Sequence, residues 1–599
     1  MAYDALAGEL LSQSGIQVTD TQFYFANEWP YLQELGALAH RLSTRWFHDV
    51  PARSCLARDA RVEHFFIRTF TFCFLAVLRA YFLLEKIRRI EGQVKLLTTE
   101  VVPGYSRSIR WKEEESPIPL LLKHCNDGWG FSHEIRPVAT TSSGPPDLMG
   151  YDWLSPWISR LREPFKKGDV LFSGNPSLLA SVQGLLRRAS ISSLKIRNTM
   201  RLRDVLFAFH PGYLTLRYPS QFPNPAMREL VGFKEALASR GTFRVGDVDL
   251  LPVVWHKLEY FYQFEAPRAR AFYEDAVRVL ERVRPKMLVV DEDVTEMNRT
   301  LVMAANQLAI PTLVVLHGLP GCPLGFVPLE ANYMAAWGKE VEKVLAGWGV
   351  DPTRIVSTGC PKYDPLCHTS RSDGTGFKRD MCRKLGLDPA KRLALVIPGA
   401  FRENALEIQE PEETCTTAFE ILKTAKYIHR LAQEIPEINW IFKFRFVVAK
   451  TGRWVHHIVE RWCPIAPNLR WITEGLAVDY IKAADLVFNS ISSAGFEAIL
   501  LKKPLVEMNF SGQEDPVSLV FNAGVARASG YDDLAALCRR FARGTLPLDE
   551  WLASQERLVA PSLFSRDGKS SERVADLILA VLKNQGSRVA PLVPTYAEA

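Results

Sequence analysis

At 599 residues, with 47% hydrophobic and 23% charged content, the chain is too long for one core and has the composition of a soluble globular protein. The 73 basic and 67 acidic residues leave a formal charge of +6, a mild bias that suits anionic substrates and, with no recognised motif beside it, argues against nucleic acid. The ten cysteines form no C-x-x-C pair and no His-Cys metal spacing, which argues against a disulfide framework or structural metal and for a reduced, cytoplasmic protein.

No basic residue precedes Arg41, so no signal peptide is expected. Residues 1–150 are expected to form a mainly helical extension, with apolar residues at helical spacing over 32–47 and 62–90. The most apolar segment, 65–84, contains Arg68 and Arg79, and the uncharged run between them is half a bilayer span. A buried helix is therefore expected there, with peripheral contact at the inner face of a membrane as the alternative. Thr140 to Pro146 has the composition of a linker.

From residue 151 to 375 the pattern is that of an α/β domain. Asp169 to Phe172 reads as a strand, Ser173 to Pro176 as a turn and 178–186 as a helix. The basic residues Arg187, Arg188, Lys195, Arg197, Arg201 and Arg203 read as a solvated face, with an anionic acceptor site as the alternative. Pro285 stops a helix over 274–284, and the strand Met287 to Val290 runs into Asp291-Glu292-Asp293. A helix over 300–308 precedes the strand 312–316, which ends in His317-Gly318. The strand 333–336 leads to Trp337-Gly338, and a helix later comes Thr358-Gly359-Cys360-Pro361-Lys362-Tyr363-Asp364.

A second α/β domain is expected over 376–585, with a tail over 586–599. Its predicted strands are 393–397, 439–444, 469–472, 486–488 and 505–508. Polar or glycine-rich residues close them: Pro398-Gly399, then Lys443 and Arg445, then Asn489-Ser490-Ile491-Ser492-Ser493-Ala494-Gly495. In an open parallel sheet, ligands bind at the carboxyl ends of the strands. Small hydroxyl residues there let a phosphate reach free backbone N–H groups; an ordinary serine helix cap is the competing explanation.

Three stretches carry a resemblance: Ala304 to Gly318, Trp337 to Asp364, and Asp485 to Pro504 with its Ser492-Ser493 and Phe496-Glu497. Together they resemble bacterial GT-B-fold glycosyltransferases of surface and capsule polysaccharides, a clan that includes Kdo transferases, CDP-glycerol glycerophosphotransferases and the non-hydrolysing UDP-N-acetylglucosamine 2-epimerases. The resemblance covers residues 165–582. It implies two Rossmann-like domains facing a cleft and transfer of a sugar from a nucleotide-sugar donor to a glycan or glycolipid acceptor. The alternatives are a CDP-glycerol-type glycerophosphotransferase and a non-catalytic nucleotide- or glycan-binding relative.

By that resemblance Ser490, Ser492, Ser493 and Gly495 would receive phosphate, Glu497 would bind ribose hydroxyls, and Gly399 would touch base or sugar. Lys443 and Arg445 would stabilise the leaving phosphate, although the His-Pro that the clan often has there is replaced by Lys443-Phe444-Arg445-Phe446. His317, followed by Gly318, suits acid/base work or a phosphate contact. Asp291 or Glu292 would be the base, or the nucleophile of a retaining enzyme; the competing reading is a cap of the following helix at Asp293. The preferred donor is CMP-linked, such as CMP-Kdo, and neither a cofactor nor a metal is expected: Asp291-Glu292-Asp293 matches D-x-D in a frame where metal is usually unnecessary.

Overall fold

The computed structural model describes residues 15, 29–49, 62–99, 109, 111, 117–136, 166–199, 210, 212–217, 227–320, 326–368, 374–398, 418–444, 459–461, 463–490, 492–510 and 525–584. Two apolar stretches near the start are the helices α1 (Trp29–Asp49) and α2 (Ile67–Glu91), which pack against each other. The helical run Val62–Glu91 is long and apolar enough to cross a membrane by composition, yet it lies almost wholly inside the fold. Trp46 explains part of that burial. Its ring meets Phe70 at 5.0 Å, Tyr262 at 5.9 Å, Phe233 at 6.1 Å and Phe243 and Phe261 at 6.4 Å, joining α1 and α2 to helices of the following domain. Aromatic contacts of this kind add to area burial. The extension also holds a short parallel strand pair, Lys95–Thr99 with Ser132–Arg136, which helical spacing did not foretell.

The first sheet has seven parallel strands: β1 (Val170–Ser173), β2 (Ser193–Thr199), β3 (Tyr213–Arg217), β4 (Met287–Val290), β5 (Thr312–Val315), β6 (Tyr333–Ala336) and β7 (Ile355–Ser357). Their spatial order is β7-β6-β5-β4-β1-β2-β3. The second sheet has six: β8 (Arg392–Ile397), β9 (Ile438–Lys443), β10 (Leu469–Ile472), β11 (Leu486–Asn489), β12 (Leu505–Met508) and β13 (Ala526–Ala528), ordered β10-β9-β8-β11-β12-β13. Both follow the doubly wound order 3-2-1-4-5-6, the first with one strand added, so the expected pair of Rossmann-like domains is present. Strands β4, β5, β11 and β12 are buried at every position, as their unbroken Val/Leu-rich runs require when helices cover both faces.

The predicted strands lie in the sheets with shifts of a residue or so. Strands β2, β3 and β13 were missed, and β2 takes in Lys195 and Arg197, which the charge pattern had placed on a solvated face. Helix α3 (Pro176–Arg188) follows β1, capped by the Asn175 side chain. Helix α4 (Ala266–Val283) is much longer than predicted and ends at Arg284 in the left-handed conformation. Helix α5 (Glu296–Gln307) begins before the expected residue 300. Helix α6 (Ala494–Leu500) follows the serine turn, and the last described helix, α7 (Ser570–Lys583), returns from the second domain to pack on α3 of the first.

The Thr358–Asp364 motif is the interlock between the domains. The Asp364 carboxylate accepts from the first amides of α7, Ser570 N at 2.9 Å and Ser571 N at 2.7 Å, where a helix favours negative charge. Gly359 has φ +83, and a Cβ there would lie 2.3 Å from Ser570 Oγ, so only glycine fits. Arg573 on α7 donates to Thr358 O at 3.0 Å. Tyr363 donates to Ser493 O at 3.3 Å, and Lys362 donates to Glu497 at 2.9 Å.

Candidate active site

In a doubly wound sheet the ligand crevice opens where the strand order reverses, here between β1 and β4 and between β8 and β11. The sequence-selected residues fall at both points. After β4, Asp291 accepts from Asn175 N at 2.8 Å and from Asn298 Nδ2 at 3.1 Å, while Ser173 Oγ donates to Asn298 Oδ1 at 2.8 Å. Gly174 makes that closure possible: its φ is +133, and a Cβ would sit 2.2 Å from Asp291 Oδ1. Asp291 thus ties the β1 turn to β4 and to α5.

Asp293 is buried and accepts from Glu330 N at 2.7 Å and Ala331 N at 2.8 Å, with Arg299 donating to its carbonyl at 2.8 Å. It anchors the chain entering β6 rather than capping α5, whose N-cap is Thr295. Glu292, between them, has no such backbone partners among the described residues. Burial pushes its carboxyl up, and the Thr295 hydroxyl, Arg68 and His317 pull it back, with Asp291 opposing them. His317 is exposed at the end of β5, its Nδ1 3.0 Å from Asp291 O and its ring stacked 6.2 Å from Phe326. Gly318 follows it with open space around its Cα. Asp291 and Asp293 are thus taken up by backbone amides, whereas among the described residues the Glu292 carboxylate holds none.

At the second switch point the Ser490 amide donates to Ile397 O at 3.0 Å, joining β11 to β8. Asn489 Nδ2 donates to Ser492 O at 3.2 Å, and Ala494 N donates to Ser492 Oγ at 3.3 Å. The Ser493 side chain makes no cap bond to α6, and among the described residues the Ser492 and Ser493 amides meet no backbone acceptor. Both serines are half-buried, and Gly495 is buried in the first turn of α6. Glu497 is not on an exposed face: it is buried and paired with Lys362 of the first domain, so its carboxylate is engaged across the domain boundary.

Lys443 differs most from its expected role. It is 3% exposed, its Nζ donates to Phe444 O at 2.7 Å and Thr473 O at 3.2 Å, and burial lowers its pKa. Its ammonium is turned onto the backbone at the end of β9. Lys443→Met is expected to lower stability by on the order of 1–3 kcal/mol, by leaving those carbonyls unsatisfied, while nucleotide-induced stabilisation survives. Denaturant unfolding with and without nucleotide checks this; unchanged stability with lost nucleotide response would return Lys443 to the phosphate. Gly399 and Arg445 lie outside the described residues. Among the described residues no cluster of three or more His, Cys, Asp or Glu side chains is arranged to hold a metal ion.

The two switch points adjoin through Trp337. Its Nε1 donates to Leu316 O at 2.8 Å, beside His317, and its ring meets Phe496 of α6 edge-on at 6.2 Å and Tyr363 at 5.4 Å. Trp337 thus links the carboxyl end of β5 to α6, the helix that follows the carboxyl end of β11. Sequence reasoning did not find two residues that the fold brings here, Arg68 of α2, which lies 3.8 Å from Glu292, and Asn298, a partner of Asp291; Asn175, its other partner, lay within the Ser173–Pro176 turn. Lys362 and Tyr363 lay within a motif, but only the fold shows whom they contact.

No family model matches the sequence, and no curated protein does. Among solved structures, a UDP-N-acetylglucosamine 2-epimerase is similar with 15% identity over 72% of this chain and 100% of its own, at a TM-score of 0.44. The UDP-GlcNAc 2-epimerase from Neisseria meningitidis, bound to UDP-GlcNAc, has 13% identity over 69% and 99%, at 0.43. Anabaena HepE in complex with UDP and glucose has 11% identity over 69% and 100%, also at 0.43.

Proposed function

We propose that this chain is a nucleotide-sugar-dependent glycosyltransferase, with the donor held by the second domain and the acceptor presented by the first. The observation that carries the reading is the pairing of switch points: Glu292 and His317 on one side, the Ser492 and Ser493 amides on the other, bridged by Trp337. Amides that meet no backbone acceptor among the described residues, in a turn at a strand's carboxyl end, suit a donor phosphate. A half-sealed carboxylate beside an imidazole suits proton removal from an acceptor hydroxyl.

In the transfer, the acceptor oxygen bonds to the anomeric carbon as its proton passes to Glu292. The bond from that carbon to the phosphate oxygen breaks, and its electron pair leaves with the nucleotide. The serine turn stabilises the charge that develops on the leaving phosphate. A surface polysaccharide or glycolipid acceptor, and a CMP-linked donor such as CMP-Kdo, rest on the sequence resemblance alone.

A melting panel with CMP, CDP, UDP, GDP and ADP tests the reading. The preferred nucleotide, at about a hundred times its Kd, is expected to add ~2.7 kcal/mol of stability. Ser492→Asp keeps an acceptor for the Ala494 amide but places negative charge against the phosphate, so it should erase that gain. Stabilisation by no nucleotide, or one indifferent to Ser492→Asp, would overturn the donor site. A phosphate-ester product in place of a glycoside would move the enzyme to the glycerophosphotransferases.

A further inference from the structure

The helical segment before the first sheet reaches the acidic edge with the first turn of α2. Arg68 places a guanidinium nitrogen 3.8 Å from the Glu292 carboxylate, with side chains 27% and 15% exposed. The guanidinium also lies 5.3 Å from the centre of the Phe72 ring, and its Nε is sealed from solvent without a hydrogen-bond partner among the described residues. The neighbouring Thr69 hydroxyl donates to Glu296 on α5, which already fastens α2 to this edge. Arg68 is therefore not required as the fastening.

We propose that Arg68 is a positioning residue of the transfer reaction, its guanidinium holding the Glu292 carboxylate in place beside His317 so that it can take the acceptor's proton. The proposal rests on the glycosyltransferase reading above. A general base must be ionised at the working pH and yet retain affinity for a proton. Burial pushes the Glu292 carboxyl up, and Asp291 on the same strand end adds to that tendency. Two cations oppose it: Arg68 from α2 and, when protonated, His317 from the loop after β5. An arginine guanidinium is the stronger and more lasting positive charge for a carboxylate to lean on. Arg68 is thus the permanent counter-charge. A single contact at 3.8 Å leaves the carboxylate more basic than a bidentate pair would.

The test is kcat/KM against pH for the full-length chain and for Glu292→Gln, Arg68→Met and Arg68→Lys. The unaltered enzyme is expected to show an acid limb that Glu292→Gln abolishes. Arg68→Met should move that limb to higher pH, so that its rate relative to the unaltered enzyme falls by about tenfold from the alkaline to the acid side. Arg68→Lys should restore the limb. An Arg68→Met variant with a uniform loss at every pH and an unmoved limb would reduce Arg68 to a structural role.

Melting temperature against pH separates this from failure of the transferase reading, since it needs no substrate. The folded chain keeps the Glu292 proton to higher pH than the unfolded chain does. Stability should therefore fall as pH rises from the ordinary glutamate range through the raised folded value. Arg68→Met should carry that fall to higher pH, and Glu292→Gln should remove it from either background. Effects of Arg68→Met and Glu292→Gln that add at every pH would refute the coupling.

Discussion

Replacing Glu292 with glutamine is expected to reduce turnover by about 10²–10⁴-fold, the range that a positioned general base supplies. Donor binding should be nearly unchanged, because the serine turn proposed to hold the phosphate follows a strand of the other sheet. The choice falls on Glu292 because its neighbours are otherwise engaged. Asp291 carries the Asn175 amide and Asn298, and Asp293 carries the Glu330 and Ala331 amides. Substituting either of those should lower stability along with activity, whereas Glu292→Gln should remove a buried charge without unfolding the chain. Steady-state kinetics beside a nucleotide melting curve separates the cases. A Glu292→Gln enzyme with undiminished turnover would pass the proton to His317.

The second large effect is expected at Trp337, 1% exposed and wedged between the domains. Trp337→Ala removes a fully buried indole and should cost about 3–5 kcal/mol. Trp337→Phe keeps a ring against Tyr363 and Phe496 but abandons the bond to Leu316 O, and should cost about 1–3 kcal/mol. Both should also lower kcat/KM below the melting transition, because the indole links Leu316, next to His317, to Phe496 of α6, and small misplacements are costly in rate. Denaturant unfolding with kinetics at low temperature measures the two together. An unfolding midpoint unmoved by Trp337→Ala would show that the indole does not hold the domains together.

The sequence made the strands legible because a parallel sheet covered on both faces demands short, unbroken apolar runs, such as Met287–Val290 and Leu486–Asn489. It also placed polar residues at the ends of those runs, and that proved to be the carboxyl edge of each sheet. The edge strand β13 is short and only partly buried, so it left little pattern to read. What three adjacent carboxylates do was beyond it. Asp291, Glu292 and Asp293 are equivalent in one dimension, and their roles separate only through partners distant in the chain: Asn175, Arg68 and Ala331.

By itself, then, the chain determined two α/β domains and where their ligand-facing turns begin, since these follow from local periodicity and turn chemistry. Tertiary structure alone decided that Lys443 faces backbone carbonyls, that Glu497 meets Lys362, and that an arginine from the leading helices reaches Glu292. The physical reason is that burial and charge pairing fix a titratable side chain's role, and both depend on residues brought together from across the chain.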